Sequence, residues 1–211
     1  MLVVAPYALT VPLAFAVSER FDPATSAGLV ALVLAPGALL APSVVNAAGG
    51  RRADMAGALL LGTAVLSFVL VATRPGAMTV ALTAAQAFAV ASLVAGALPT
   101  VRDRLLPPLR WAGHAASVAV IVLAAASGPR IDAGTVAVAL AAVALIAGAA
   151  GAAALALRRD VFSALAATGT RDPIVATALA WSTGGAYATG VPLASAVILG
   201  IAAAALVIRR R

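Results

Sequence analysis

The residues able to do chemistry are sparse in this chain, and their densest group is Thr168-Gly169-Thr170-Arg171-Asp172-Pro173. It interrupts a run that is otherwise apolar from Val161 to Trp181. A charge deep in an apolar medium costs roughly 2.5–3.5 kcal/mol on insertion scales, so it is expected to be paired, wet or functional. Pairing of Arg171 with Asp172 is one arrangement, and a partner for Arg171 on the second apolar segment is another. A different reading starts the apolar segment after Pro173 and leaves Thr168–Asp172 in a loop.

A second polar break lies in Leu34-Ala-Pro-Gly-Ala-Leu-Leu-Ala-Pro-Ser-Val-Val-Asn46. Pro36 and Pro42 each remove an amide donor, and Gly37 adds backbone freedom between them. Carbonyls freed in this way must line a protein-enclosed or wet cavity if the segment is surrounded by lipid. The candidate substrate-binding residues are therefore Pro36, Gly37, Ser43 and Asn46 in the first break. Thr168, Gly169, Thr170, Arg171 and Asp172 supply the second, with Thr63 and Gln86 from neighbouring segments. Ser67, Thr83 and Ser92 read as hydroxyls that pack helices together.

Other chemistry is excluded by composition. There is no cysteine, so no disulfide or thiolate site, and the single histidine, His114, rules out a two-histidine metal centre. His114, Asp132 and Asp172 are the nearest to catalytic groups and lie far apart in sequence. No enzyme, cofactor or metal is expected.

The elements that must position these residues follow from hydropathy. Of 211 residues, 64% are hydrophobic and 10% charged, and the mean hydropathy is +1.10. A soluble domain runs near half apolar and a quarter charged. The expectation is an all-α polytopic membrane protein. Eight apolar segments run over Met1–Val17, Ser26–Ala48, Ala53–Thr73, Ala77–Leu98, Pro108–Ser127, Thr135–Leu157, Val161–Trp181 and Ala186–Ile208. Each is near the ~20 residues a spanning helix needs. MLVVAPYALT lacks a basic leader, so the chain is expected to begin inside a span rather than with a signal peptide.

Arginine supplies all 14 positive charges, giving a net charge of +7. In a soluble protein that would suggest nucleic acid; here the arginines sit between apolar runs. The second, fourth and sixth connections and the tail hold ten, against three in the first, third and fifth, with Arg171 left inside a segment. The positive-inside rule then predicts a multi-pass cell-membrane protein with both termini cytoplasmic and Gly184–Tyr187 external. Trp111 and Trp181 fall at segment ends, where they suit interfacial anchoring. Gly148 and Gly151 of the sixth segment suggest close helix packing.

Segments one to three and six to eight form two triplets, each with a broken middle member. They are offset by an odd number of spans, so they insert with opposite orientation. Matched broken helices in an inverted repeat point to a transporter's midplane site. The expected organisation is a first core repeat over 1–73, panel helices over 74–134 and a second core repeat over 135–211.

The order of these elements resembles the bile acid:sodium symporter family and the arsenite effluxers of the same superfamily. Ala35-Pro36-Gly37 opens a broken helix and is followed by a basic turn and Ala53-Asp54-Met55; LPTVRDRLLPPL spans Leu98–Leu109. The stretch from Ala167 to Ala180 is similar to that family's Glu-x-Gly-x-Gln-Asn-x-x-Leu-Ala, and Val191–Gly200 to its last helix. The chain would then hold the last eight of that family's usual ten spans, the missing two being panel helices.

The resemblance implies an alternating-access secondary transporter in the lipid bilayer. It also implies departures. The family's acidic sodium ligand falls on Ala167, its Gln on Arg171 and its Asn on Asp172. Its Ser-Asn pair falls on Ala41 and Pro42, or on Ser43 and Asn46 with a small insertion. Its hydroxyl ligands fall on or beside Ala58 and Gly62, next to Thr63. A hard cation wants several oxygens, so coupling to sodium is not expected. A site with net positive charge suits a small organic anion instead. The alternatives are a truncated or degenerate member inactive alone and, further off, an intramembrane enzyme. The oligomeric state is open, and nucleic acid is not an expected partner.

Overall fold

Four of the acidic residues open helices in the computed structural model, which describes residues 1–37, 45, 53–72, 111, 115–116 and 118–209. Helix α1 spans Val4–Ser18, and Asp22 then caps α2, Pro23–Leu34. Helix α3 covers Ala53–Ala72. Asp132 caps α4, Ala133–Ala156; Asp160 caps α5, Val161–Thr168; and Asp172 caps α6, Pro173–Gly184. Each carboxylate accepts from amides one turn into its helix, the donors that a helix start leaves unpaired. A 3₁₀ turn, Ala186–Thr189, leads into α7, Gly190–Arg209. Residues 118–126 are also helical. The described residues form no sheet, and the protein is all-helical.

The expected segments correspond to these helices, with three adjustments. The second begins at Pro23, because an aspartate followed by proline is a ready helix start. The seventh divides into α5 and α6. The eighth starts with a 3₁₀ turn after Gly185, whose φ of 71° suits glycine. The fourth segment lies outside the described residues, as does most of 74–134.

Helices α3 and α4 are long and apolar enough to cross a membrane. The surface of α3 is inverted relative to a soluble helix. Leu61, Val65 and Val69, one turn apart, are 47%, 58% and 53% exposed, whereas Thr63 and Ser67 are 0% and 4% exposed. On α1 the buried side is Tyr7, Thr10, Ala14 and Ser18, while Val4, Leu9 and Leu13 face outward.

Packing is reciprocal in part between the two ends of the chain, though α4 also packs on α7 with no comparable contact between α1 and α3 among the described residues. Helix α1 packs on α2 and α4 packs on α5, while α1 and α4 pack on each other. Helix α2 also packs on α7, and α5 packs on α3. The main core gathers Leu29, Leu32 and Val33 of α2 with Ile146 of α4 and Val191 of α7. The close approach of α4 comes from alanines, since Ala139, Ala142, Ala150 and Ala154 form its buried stripe. The glycine expectation is corrected here. Gly148 is exposed with open space where a Cβ would stand, and at Gly151 a Cβ would make only ordinary contact with Leu165.

Candidate functional site

Helix α2 ends because Pro36 has no N–H to offer the Leu32 carbonyl. The backbone turns extended at Ala35, with ψ 150°. Helix α5 ends at Thr168, where the Gly169 amide donates back to Ala164 and Leu165. The two interruptions meet. The Asp172 amide donates to the Pro36 carbonyl at 2.8 Å, and Gly37 and Arg171 form an isolated antiparallel bridge.

The backbone groups freed at the first break are also matched by donors and acceptors from two helices, α1 and α3. Ser67 Oγ of α3 donates to the Leu34 carbonyl at 2.6 Å, and the Tyr7 hydroxyl of α1 donates to the Ala35 carbonyl at 2.8 Å. The Gly37 amide donates to Thr63 Oγ1 at 3.0 Å, and that hydroxyl donates to the Leu60 carbonyl at 2.7 Å. Only glycine fits at position 37, because a Cβ would stand 1.9 Å from the Ala167 carbonyl oxygen and 2.9 Å from Thr63 Oγ1.

Arg171 lies at the centre of the crossing and is 1% exposed. Its Cζ sits 3.8 Å from the centroid of the Tyr7 ring, a cation–π contact. None of Nε, Nη1 or Nη2 makes a hydrogen bond. Asp172, also buried, uses Oδ1 to accept from the Ile174 and Val175 amides, both at 3.0 Å. The guanidinium thus packs on an aromatic face, and the carboxylate next to it in sequence is engaged in capping. A solvated loop at Thr168–Asp172 would leave these charges exposed; the structure buries them.

Of the residues singled out from sequence, Pro36, Gly37, Thr63, Arg171 and Asp172 come together. Thr168, Gly169 and Thr170 lie on the same break, but the two threonine hydroxyls turn inward along the chain. Thr168 Oγ1 donates to the Ala164 carbonyl at 2.8 Å and Thr170 Oγ1 to the Ala166 carbonyl at 2.6 Å. Ser43, Asn46 and Gln86 lie outside the described residues. Sequence reasoning missed Tyr7 and gave Ser67 only a packing role. A signal for Tyr7 was present: it is one of two tyrosines in the chain, alone in an apolar segment and one turn before Thr10.

Chemically, the crossing offers, among the described residues, one fixed cation with uncommitted N–H groups. The hydroxyls around it already donate to carbonyls and retain only acceptor capacity. Such an arrangement favours an anion over a metal ion. No protein-family model matches this chain, and no curated protein matches it.

Proposed function

We propose that this protein is a multi-pass secondary membrane transporter whose substrate is a small organic anion, bound at the crossing of the two interrupted segments. The observation that carries the reading is Arg171: a guanidinium 1% exposed, with no hydrogen bond to any of its nitrogens, followed in sequence by a carboxylate occupied as a helix cap. A buried, unsatisfied donor set is costly. A protein retains it where a ligand completes it.

Two further features support the reading. The outward apolar stripe of α3, opposite its buried Thr63 and Ser67, suits a helix surrounded by lipid. The partly reciprocal packing, α1 on α2 as α4 on α5 and α2 on α7 as α5 on α3, suits an inverted repeat with a discontinuous helix in each half. On this reading the bile acid:sodium symporter type of architecture applies, with both termini cytoplasmic. Rocking of one part against the other exposes the crossing alternately to each side. The fixed charge of Arg171 stands where a mobile cation would otherwise be needed, so uptake does not depend on sodium.

The test is uptake of labelled small carboxylates into proteoliposomes, with sodium or choline as the only cation. Uptake that is equal in both salts and lost in Arg171→Met supports the proposal. Absence of uptake, or strict dependence on sodium, contradicts it.

A further inference from the structure

Donors from elsewhere already reach the backbone acceptors of the first break and one carboxylate oxygen of the second. The Leu34 carbonyl receives the Ser67 hydroxyl, the Ala35 carbonyl receives the Tyr7 hydroxyl and the Pro36 carbonyl receives the Asp172 amide. Asp172 Oδ1 receives two amides of α6. A guanidinium carries five N–H donors directed outward in its own plane. Left free to rotate, it would turn those donors onto whichever carbonyl or carboxylate oxygen was vacant.

Among the described residues, Tyr7 is the side chain placed to prevent this. It is 3% exposed and reaches both breaks and α3. Its hydroxyl donates to Ala35 in the first break, and its ring carries Arg171 of the second. The hydroxyl also lies 3.4 Å from the Thr63 carbonyl of α3. An aromatic face attracts a cation through the negative side of its quadrupole. That attraction holds the guanidinium without consuming an N–H. A carboxylate in place of Tyr7 would hold it too, but by taking the donors a ligand needs.

We infer that Tyr7 is the positioning residue of the Arg171 site: its ring holds the guanidinium by contact with the π face, and its hydroxyl anchors the ring, so that the in-plane N–H fork stays available for the planar carboxylate of a ligand. This rests on the anion-binding reading above. A carboxylate matches the fork in two parallel hydrogen bonds, and it brings the single negative charge that one buried arginine can neutralise.

The experiment follows thermal unfolding of the purified full chain in detergent by tryptophan fluorescence, against increasing sodium benzoate at constant ionic strength held with chloride. The midpoint of the benzoate-induced rise in Tm is the readout. Replacing Tyr7→Leu raises that midpoint at least tenfold, while Tyr7→Phe rescues it to within threefold of the unmodified protein although its starting Tm is lower. Pentafluorophenylalanine at position 7 keeps the shape of phenylalanine and reverses the ring's quadrupole. It raises the midpoint tenfold relative to Phe, and it decides the matter if the leucine variant does not fold. Equal midpoints in the Phe, Leu and fluorinated variants overturn the role of Tyr7, as does loss of the response in the Phe variant. If benzoate has no effect on the unmodified protein, or the same effect on Arg171→Met, the anion site itself is refuted.

Discussion

Arg130 and Asp132 stand at the mouth of α4, and Arg171 and Asp172 at the mouth of α6. In each pair the aspartate caps the helix, accepting from Thr135 N–H at 2.7 Å in one and from Ile174 and Val175 N–H in the other. The arginines differ. Arg130 Nε bonds Asp132 Oδ2 at 3.2 Å, with the two side chains 60% and 49% exposed. Arg171 is buried, makes no hydrogen bond and lies on the Tyr7 ring. Water can solvate Arg130 in any rotamer, so its ion pair adds little. Arg171 has no such recourse, and desolvating a cation costs several kcal/mol. One pair is an ordinary exposed cap; the other keeps an unfavourable group where two broken helices cross.

The sharpest way to break that contrast is at the backbone contact that creates the crossing. Gly37→Ala places a Cβ against the Ala167 carbonyl, with Thr63 Oγ1 also 2.9 Å away, and the Ala167 backbone cannot yield as the end of a flexible side chain could. The expected loss is about 3 kcal/mol or more, read by denaturant or thermal unfolding in detergent. Gly148→Ala, with open space at its Cβ, serves as the control and changes stability by less than about 1 kcal/mol.

A smaller effect is expected at the donors and acceptors of the break. Thr63→Val removes the acceptor of the Gly37 amide and leaves a buried N–H unpaired, at about 2 kcal/mol. Ser67→Ala leaves the Leu34 carbonyl without the Ser67 hydroxyl, at about 1 kcal/mol. Both are read from the same unfolding curves, and values near zero would show that the break is wet rather than enclosed.

The exposed pair responds to pH instead. The amide of Thr135, followed by its hydroxyl, holds the Asp132 carboxyl below the usual carboxylate range. A depressed folded-state pKa means that the contribution is complete above the unfolded value of about 4. It is lost as pH falls through the folded value. Tm should therefore be insensitive to this group from pH 5 to 8 and fall on acidification below about pH 4, with the fall reduced in Asp132→Asn. Least of all, Arg130→Ala should leave Tm unchanged within error.

The positions of both breaks were legible in the sequence because proline, glycine and clustered polar residues act locally: Pro36 ends α2 wherever that helix packs. The Asp-Pro doublets at Asp22-Pro23 and Asp172-Pro173 carry their caps within a few residues too, yet the expected second segment opens at Ser26 and passes over the first of them. The state of Arg171 was not legible. Its nearest charged neighbour in sequence, Asp172, is engaged by amides of its own helix, and its actual contact is a tyrosine from the other end of the chain. Tertiary packing of α1 against the crossing decides that contact, and no local spacing encodes it. The packing of α4 failed to read for a related reason. Alanines at helical spacing supply its close face, while Gly148 points away from any neighbour.

The central claim, that Arg171 is kept for a ligand and not for the fold, is tested most directly by measuring the unfolding free energy of Arg171→Met beside the unmodified protein, with and without benzoate. Methionine fills similar volume without charge. The variant is expected to be more stable by about 2 kcal/mol without ligand, because relief of the buried unpaired cation exceeds the lost ring contact. Benzoate is expected to stabilise only the unmodified protein. A variant that is less stable by a similar amount and still responds to benzoate would contradict it.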